Sequence, residues 1–177
     1  MRGDTGVAGG MIRTIGIDPG SRYTGYGLME GDGSQLRHLD NGTIRVPTRF
    51  AFPDRLKYIY DELSSVIGRF RPTDMAVEEV FFAKNVQSAL RLGQARGAAM
   101  LAGVNAGLAM YEYSALQIKQ AVVGYGRAGK DQIVQMIRHL CCLREAMDPN
   151  AADALAAAIC HLNTRSSRAR WNDSRPV

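Results

Sequence analysis

The stretch IGIDPGSRYTGYGL, Ile15 to Leu28, puts one acid, Asp18, at the end of an apolar run and follows it with Pro19 and glycines at 20, 25 and 27. A turn residue, a phosphate-site acid and a metal ligand all fit Asp18 here. Ile12–Asp18 reads as a strand. Tyr23–Glu30 reads as a second, and Leu36–Val46 as a third, broken near Asn41–Gly42. Short turns containing Gly20 and the GDGS run join them, which predicts an antiparallel meander.

From Pro53 the period changes. Leu56, Ile59, Tyr60, Leu63, Val66, Ile67 and Phe70 share one helical face, and Pro72 ends that helix. DMAVEEV, Asp74–Val80, reads as a buried strand. A long helix follows over about Ala83–Gly107, with Ala89, Gly93 and Gly97 spaced four apart. Small residues at that spacing admit another backbone, either within the chain or from a second copy. LAMYEY reads as a fifth strand, and helices cover about Ala115–Val122, Lys130–Leu140 and Pro149–Leu162. The order predicts a mixed α/β domain with a five-stranded sheet, three antiparallel strands then two parallel, flanked by helices.

The chain has 177 residues, enough for one domain over 11–163 with a flexible N-terminal extension (1–10) and a disordered basic C-terminal tail (164–177). Hydrophobic residues make up 46% and charged residues 22%, as in a globular protein with a sizeable core. A net charge of +5 and a pI of about 9.3 point mildly to a polyanion partner. The three cysteines, Cys141, Cys142 and Cys160, show no C-x-x-C spacing, which predicts a reducing cytoplasmic setting. The longest apolar candidate, AAMLAGVNAGLAM, falls short of the roughly 20 residues needed to span a bilayer.

Three groups of acids matter. Asp18 ends the first strand. Glu78 and Glu79 end the fourth, and only one of the pair can share a face with a given neighbour. Asp148 before Pro149 is a helix N-cap, placing Asn150 and Asp153 three apart in the first turn. Two neighbouring parallel strands and a helix N-terminus can bring three carboxylates to one patch. Such carboxylates repel one another and call for a hard cation, Mg²⁺ or Mn²⁺. Two such ions suit hydrolysis of a phosphodiester.

GIDPGSRYTGYGL, VEEVFFAKN, SALRLGQARGAA, YSALQIKQAVVGYGRAGKDQIVQM and NAADALAAAICH, in that order from about Met11 to His161, resemble the RuvC family of bacterial Holliday-junction resolvases. The resemblance implies an RNase H-like fold and a homodimer. It further implies paired, symmetrical, Mg²⁺-dependent cutting of four-way DNA junctions in recombination and repair, alongside the RuvA and RuvB branch-migration proteins. Carried onto this chain, it makes Asp18, Glu78 and Asp153 catalytic metal ligands. The family's D-A-x-D motif reads Asn150-Ala151-Ala152-Asp153 here, so an uncharged amide occupies a usual carboxylate position. Either a natural variant or an introduced Asp-to-Asn replacement accounts for it. Weaker metal binding, slower cutting and a rate gain in Asn150→Asp are expected.

The same resemblance assigns Phe81 to unstacked bases, Lys119 and Lys130 to phosphates, and Ala89, Gly93 and Gly97 to a dimer helix. Lys84, Arg91 and Arg96 are weaker candidates for the DNA backbone. Three rivals remain: a junction binder that has lost its chemistry at Asn150, a general RNase H-type nuclease, and an actin- or sugar-kinase-like ATPase. The last needs a second phosphate block and about twice the length.

Overall fold

The computed structural model describes residues 11–32, 35–79 and 85–173. Five strands form one sheet: β1 (Ile12–Asp18), β2 (Tyr23–Gly31), β3 (Leu36–Arg45), β4 (Asp74–Glu78) and β5 (Ala109–Tyr113). The helices are α1 (Phe52–Phe70), α2 (Val86–Asn105), α3 (Ala115–Val123), α4 (Lys130–Leu140) and α5 (Pro149–Asp173). The sheet order is β3-β2-β1-β4-β5. β1, β2 and β3 pair antiparallel, whereas β4 joins β1 and β5 joins β4 in parallel. The mixed sheet expected from the sequence is therefore present, with the meander on one side and the parallel pair on the other.

Alternation along β1 and β4 sorts the core into two layers. Ile15, Ile17, Met75 and Val77 pack with Ile59, Leu63 and Ile67 of α1 and Ala95 and Ala99 of α2. On the opposite face Ala76 and Met29 pack with α3, α4 and the alanine-rich α5. Ile15 and Ile17 are wholly buried, and each such side chain contributes about 1.5–3 kcal/mol relative to exposure.

The structure departs from the expected boundaries in three places. β3 runs unbroken through Asn41–Gly42, because Gly42 makes room for the Tyr26 ring: a Cβ there would lie 2.8 Å from the Tyr26 hydroxyl oxygen. α2 begins at Val86, where the Asn85 side chain accepts hydrogen bonds from the Gln87 and Ser88 amides. α5 continues to Asp173, well beyond Leu162, with Arg165 reaching back to Asp74 and Tyr111 at 3.3 Å each. No proline or glycine interrupts that run before Pro176.

Candidate active site at the junction of β1, β4 and α5

Glycines bring the last helix onto the sheet. A Cβ on Gly16 would fall 2.0 Å from the Ala154 carbonyl oxygen, and one on Gly25 would fall 2.0 Å from that of Asn150. Gly27 is also tight against the Leu155 backbone, at 2.7 Å from its nitrogen. No side chain fits between the backbone of α5 and strands β1 and β2 at these points. The helix answers with Ala151, Ala152, Ala154, Ala156, Ala157 and Ala158, all buried. This contact lowers the N-terminal end of α5 beside the end of β1; the first turn itself holds no acid, and Asp153 falls in the second turn rather than in the first as expected.

Asp18 lies two residues beyond Gly16, on the face that meets α5. Ile17 pairs with Val77 in parallel register, so Asp18 and Glu78 stand one step further along adjacent strands. Glu78 lies two residues beyond Ala76, which packs in the α5 layer, so Glu78 shares that layer. Glu79 falls past the end of β4 and gives its amide to the Tyr113 carbonyl at 2.8 Å. The geometry thus selects Glu78 from the pair that the sequence pattern left open.

The helix start is anchored as the Asp-Pro pair predicts. Asp148 Oδ1 accepts from the Asn150 amide at 2.9 Å and from the Thr43 hydroxyl at 2.7 Å. Thr43, hidden in an unremarkable strand sequence, ties the α5 start to β3. Asn150 also directs its side-chain amide to Asp148, with Nδ2 3.0 Å from Oδ1. Its nitrogen is thereby committed, leaving the oxygen as its only remaining donor atom for a cation.

The three acids act on one another. Burial, then Asp153, then Glu78 push the Asp18 pKa from 3.8 up to about 7, against the opposing charge of Lys130. Burial and Asp153 also raise Glu78, while Lys119 and Lys130 pull it down. Lys130 Nζ donates to Asp153 Oδ2 at 3.1 Å, and that bond heads the reasons its own pKa is raised. Glu78, Asp153, Lys119 and Lys130 line one cavity of about 250 Å³, with Ile118 and Ile133 among its apolar walls.

Among the described residues no three acidic, histidine or cysteine side chains close around a single point as a finished cation shell. The donor chemistry nevertheless fits a hard divalent ion. The side chains brought together offer carboxylate oxygens, and burial followed by the two neighbouring acids raises the Asp18 pKa, which a positive charge beside it would oppose. Lys130 supplies part of that charge in the metal-free protein.

A family model described as "Crossover junction endodeoxyribonuclease RuvC" matches residues 14–161. The chain belongs to the RuvC family. The RuvC of Syntrophotalea carbinolica is 59% identical over 150 residues, covering 85% of this chain and 93% of that protein. That of Geobacter sulfurreducens is 56% identical over 153 residues, covering 86% and 93%. A structure titled as Thermus thermophilus RuvC in complex with Holliday junction substrate superposes with a TM-score of 0.84 at 34% identity, over 89% of this chain and 97% of that one. The yeast mitochondrial Holliday junction resolvase shares the fold, with a TM-score of 0.63 at 13% identity over 91% and 84% of the two chains.

The fold is accordingly RNase H-like. RuvC membership makes the chain a hydrolytic, junction-cleaving endodeoxyribonuclease, and neither the ATPase reading nor the inert-binder reading is favoured. Phe81 and Lys84, expected at the DNA, lie outside the described residues. Of the weaker candidates, Arg96 pairs with Glu112, and Arg91 lies over the Phe52 ring at 5.7 Å. The described residues contain no helix long and apolar enough to cross a membrane.

Proposed function

We propose that this RuvC protein resolves four-way DNA junctions as a homodimer, making two symmetrical cuts with one Asp18–Glu78–Asp153 site per protomer. The mutual coupling of these three acids beside Lys119 and Lys130 carries the reading. Asp18, Glu78 and Asp153 would hold Mg²⁺ or Mn²⁺, two ions per site, with the Asn150 oxygen as an auxiliary ligand. Bound there, the ions supply Lewis acidity toward the phosphodiester and its attacking water. Asp18, whose pKa burial, Asp153 and Glu78 raise to about 7, would hold the ion as its carboxylate.

Lys119 and Lys130 would hold the DNA phosphates at the rim of the cavity, Lys130 from beside Asp153, to which it donates. Phe81 stacks on unpaired bases at the crossover, and Lys84 meets the backbone nearby. Together they set orientation and affinity, whereas the acids set rate.

The homodimer reading draws on α2. Its outward face carries Val86, Leu90, Gly93, Gly97, Leu101 and Val104, with Val86 76%, Leu90 62%, Leu101 52% and Val104 55% exposed. A Cβ on Gly93 or Gly97 would meet nothing within 4 Å in the protomer. Crowding within the chain therefore does not account for these glycines, which supports the reading of a close approach by a second copy. An apolar stripe of this length on a single helix marks an interface. Ala89 lies at its edge, half-buried.

We place the protein in the bacterial cytoplasm, consistent with three unpaired thiols, and alongside RuvA and RuvB. The test is a synthetic four-way junction incubated with Mg²⁺. Paired cuts at symmetrical positions support the reading; cutting of an RNA–DNA hybrid in preference to the junction contradicts it.

A further inference from the structure

A second polar cluster lies at the opposite end of β4 and α5 from the acids. His161, 1% exposed, has Nε2 2.7 Å from Asp74 Oδ2 and Nδ1 2.8 Å from the Tyr113 hydroxyl. The Tyr111 ring packs on the imidazole at a centroid distance of 4.2 Å. Arg165 closes the group from the helix side at 3.3 Å from Asp74. Burial raises the Asp74 pKa, but His161, Thr73 and Arg165 outweigh it and hold it below the ordinary value. Asp74 is thus the acceptor, and Nε2 carries the proton it receives.

Networks of this kind cost desolvation, and their net stabilisation over an apolar core is small. What they supply is a single geometry, since a shift of any member leaves a buried polar atom unpaired. The spans here match. Asp74 precedes Glu78 by four strand residues, about 13 Å. His161 follows Asp153 by eight helical residues, about 12 Å. β4 and α5 are therefore drawn together at one end by Asp74 and His161, while Glu78 and Asp153 repel at the other. Tyr113 adds the third carrier: it pairs in register with Glu78 and directly precedes Ser114, the N-cap of the helix that bears Lys119.

We propose that the His161–Asp74–Tyr113 network is a clamp that fixes the separation of Glu78 from Asp153, making His161 and Tyr113 positioning residues for the divalent-cation site. The consequence for cutting rests on the nuclease reading above, but the consequence for metal binding does not.

The experiment uses the full chain with Tyr113→Phe, which deletes one hydroxyl, and His161→Phe. Mn²⁺ binding is measured by calorimetry without DNA, Mg²⁺ is titrated in junction cleavage, and junction affinity and Tm are measured in EDTA. The clamp predicts Mn²⁺ affinity weakened about tenfold or more, as for other groups that orient metal ligands. The Mg²⁺ requirement for cutting should rise in parallel, with the rate recovered at high Mg²⁺ and junction affinity in EDTA unchanged. A purely structural role would lower Tm and leave the metal requirement where it was, and that result overturns the proposal. If His161→Phe does not fold, Tyr113→Phe decides. If the wild-type chain itself fails to cut junctions, the nuclease reading falls, and the calorimetric arm still judges the clamp.

Discussion

Gly25 of β2 lies directly beneath the carbonyl oxygen of Asn150 in α5, so close that a Cβ on the glycine would stand 2.0 Å from that oxygen. Both groups are backbone or backbone-bound, so neither can swing aside. Gly25→Ala must lift the N-terminal end of α5, whose second turn carries Asp153, away from Asp18. We expect a stability loss of about 1–3 kcal/mol in chemical denaturation, as in other overpacked cores. Cleavage should fall further than stability alone explains. Gly93→Ala, where a Cβ meets open space within the protomer, should leave protomer stability near wild type.

The Asp18 proton makes metal-free stability depend on pH in a defined direction. Its folded pKa of about 7 lies above the 3.8 of an ordinary aspartate, so the folded state holds the proton more tightly than the unfolded chain. Stability from this group is complete below pH 3.8 and is lost as pH rises toward 7. At pH 8 without metal, Asp18→Asn should therefore be more stable than wild type, by roughly 2–4 kcal/mol. The gain should shrink on acidification and reverse with saturating Mn²⁺, which only the carboxylate holds well. Thermal melts at several pH values, with EDTA and with Mn²⁺, read all three arms.

Lys130 is both the partner of Asp153 and a proposed phosphate contact. Lys130→Ala should reduce the salt dependence of junction binding by about one unit of log–log slope, uniformly across junction sequences. It should also raise the Asp18 pKa further, since the opposing charge is gone. Binding isotherms at several salt concentrations check the first effect, and carboxylate titration by NMR checks the second.

Asn150→Asp acts in two directions. It replaces the Nδ2 hydrogen bond to Asp148 with a carboxylate facing a carboxylate, which should lower metal-free stability by about 1 kcal/mol. The same change adds an anionic oxygen to the site, so Mg²⁺ affinity and junction-cutting rate should rise. Equal cutting by both proteins at limiting Mg²⁺ would exclude a ligand role for position 150.

Leu101, 52% exposed toward the C-terminal end of the α2 stripe, tests the dimer. Leu101→Glu places a charge in the apolar seam twice, once from each protomer. Sedimentation at micromolar concentration should show a monomer, and paired cutting should give way to single nicks at reduced rate. A wild-type chain that sediments as a strict monomer would contradict the dimer reading.

Much of this was legible in the residues. The apolar run ending at Asp18, buried on both faces, and the 3.6 period from Pro53 to Phe70, buried on one, place these two elements. Asp148-Pro149 announces the start of α5 by local chemistry alone. Other features depend on distant partners. Asn41–Gly42 reads as a break until Tyr26 is seen over it, and the choice of Glu78 over Glu79 needs the face on which Ala76 packs. Gly16 in β1 and the alternating Gly25 and Gly27 in β2 were the available sign of a helix lying directly on the sheet. The Asp74–Tyr113–His161 network joins residues far apart in the chain and leaves no local signature.

The central claim is that Asp18, Glu78 and Asp153 form the cutting centre and Glu79 does not. A single-turnover assay on a synthetic four-way junction with Mg²⁺ tests it through Asp18→Asn, Glu78→Gln, Asp153→Asn and Glu79→Gln. The account predicts that the first three bind the junction and lose cutting by about a hundredfold or more, while Glu79→Gln cuts near the wild-type rate. Retained cutting in Glu78→Gln, or its loss in Glu79→Gln alone, would contradict it.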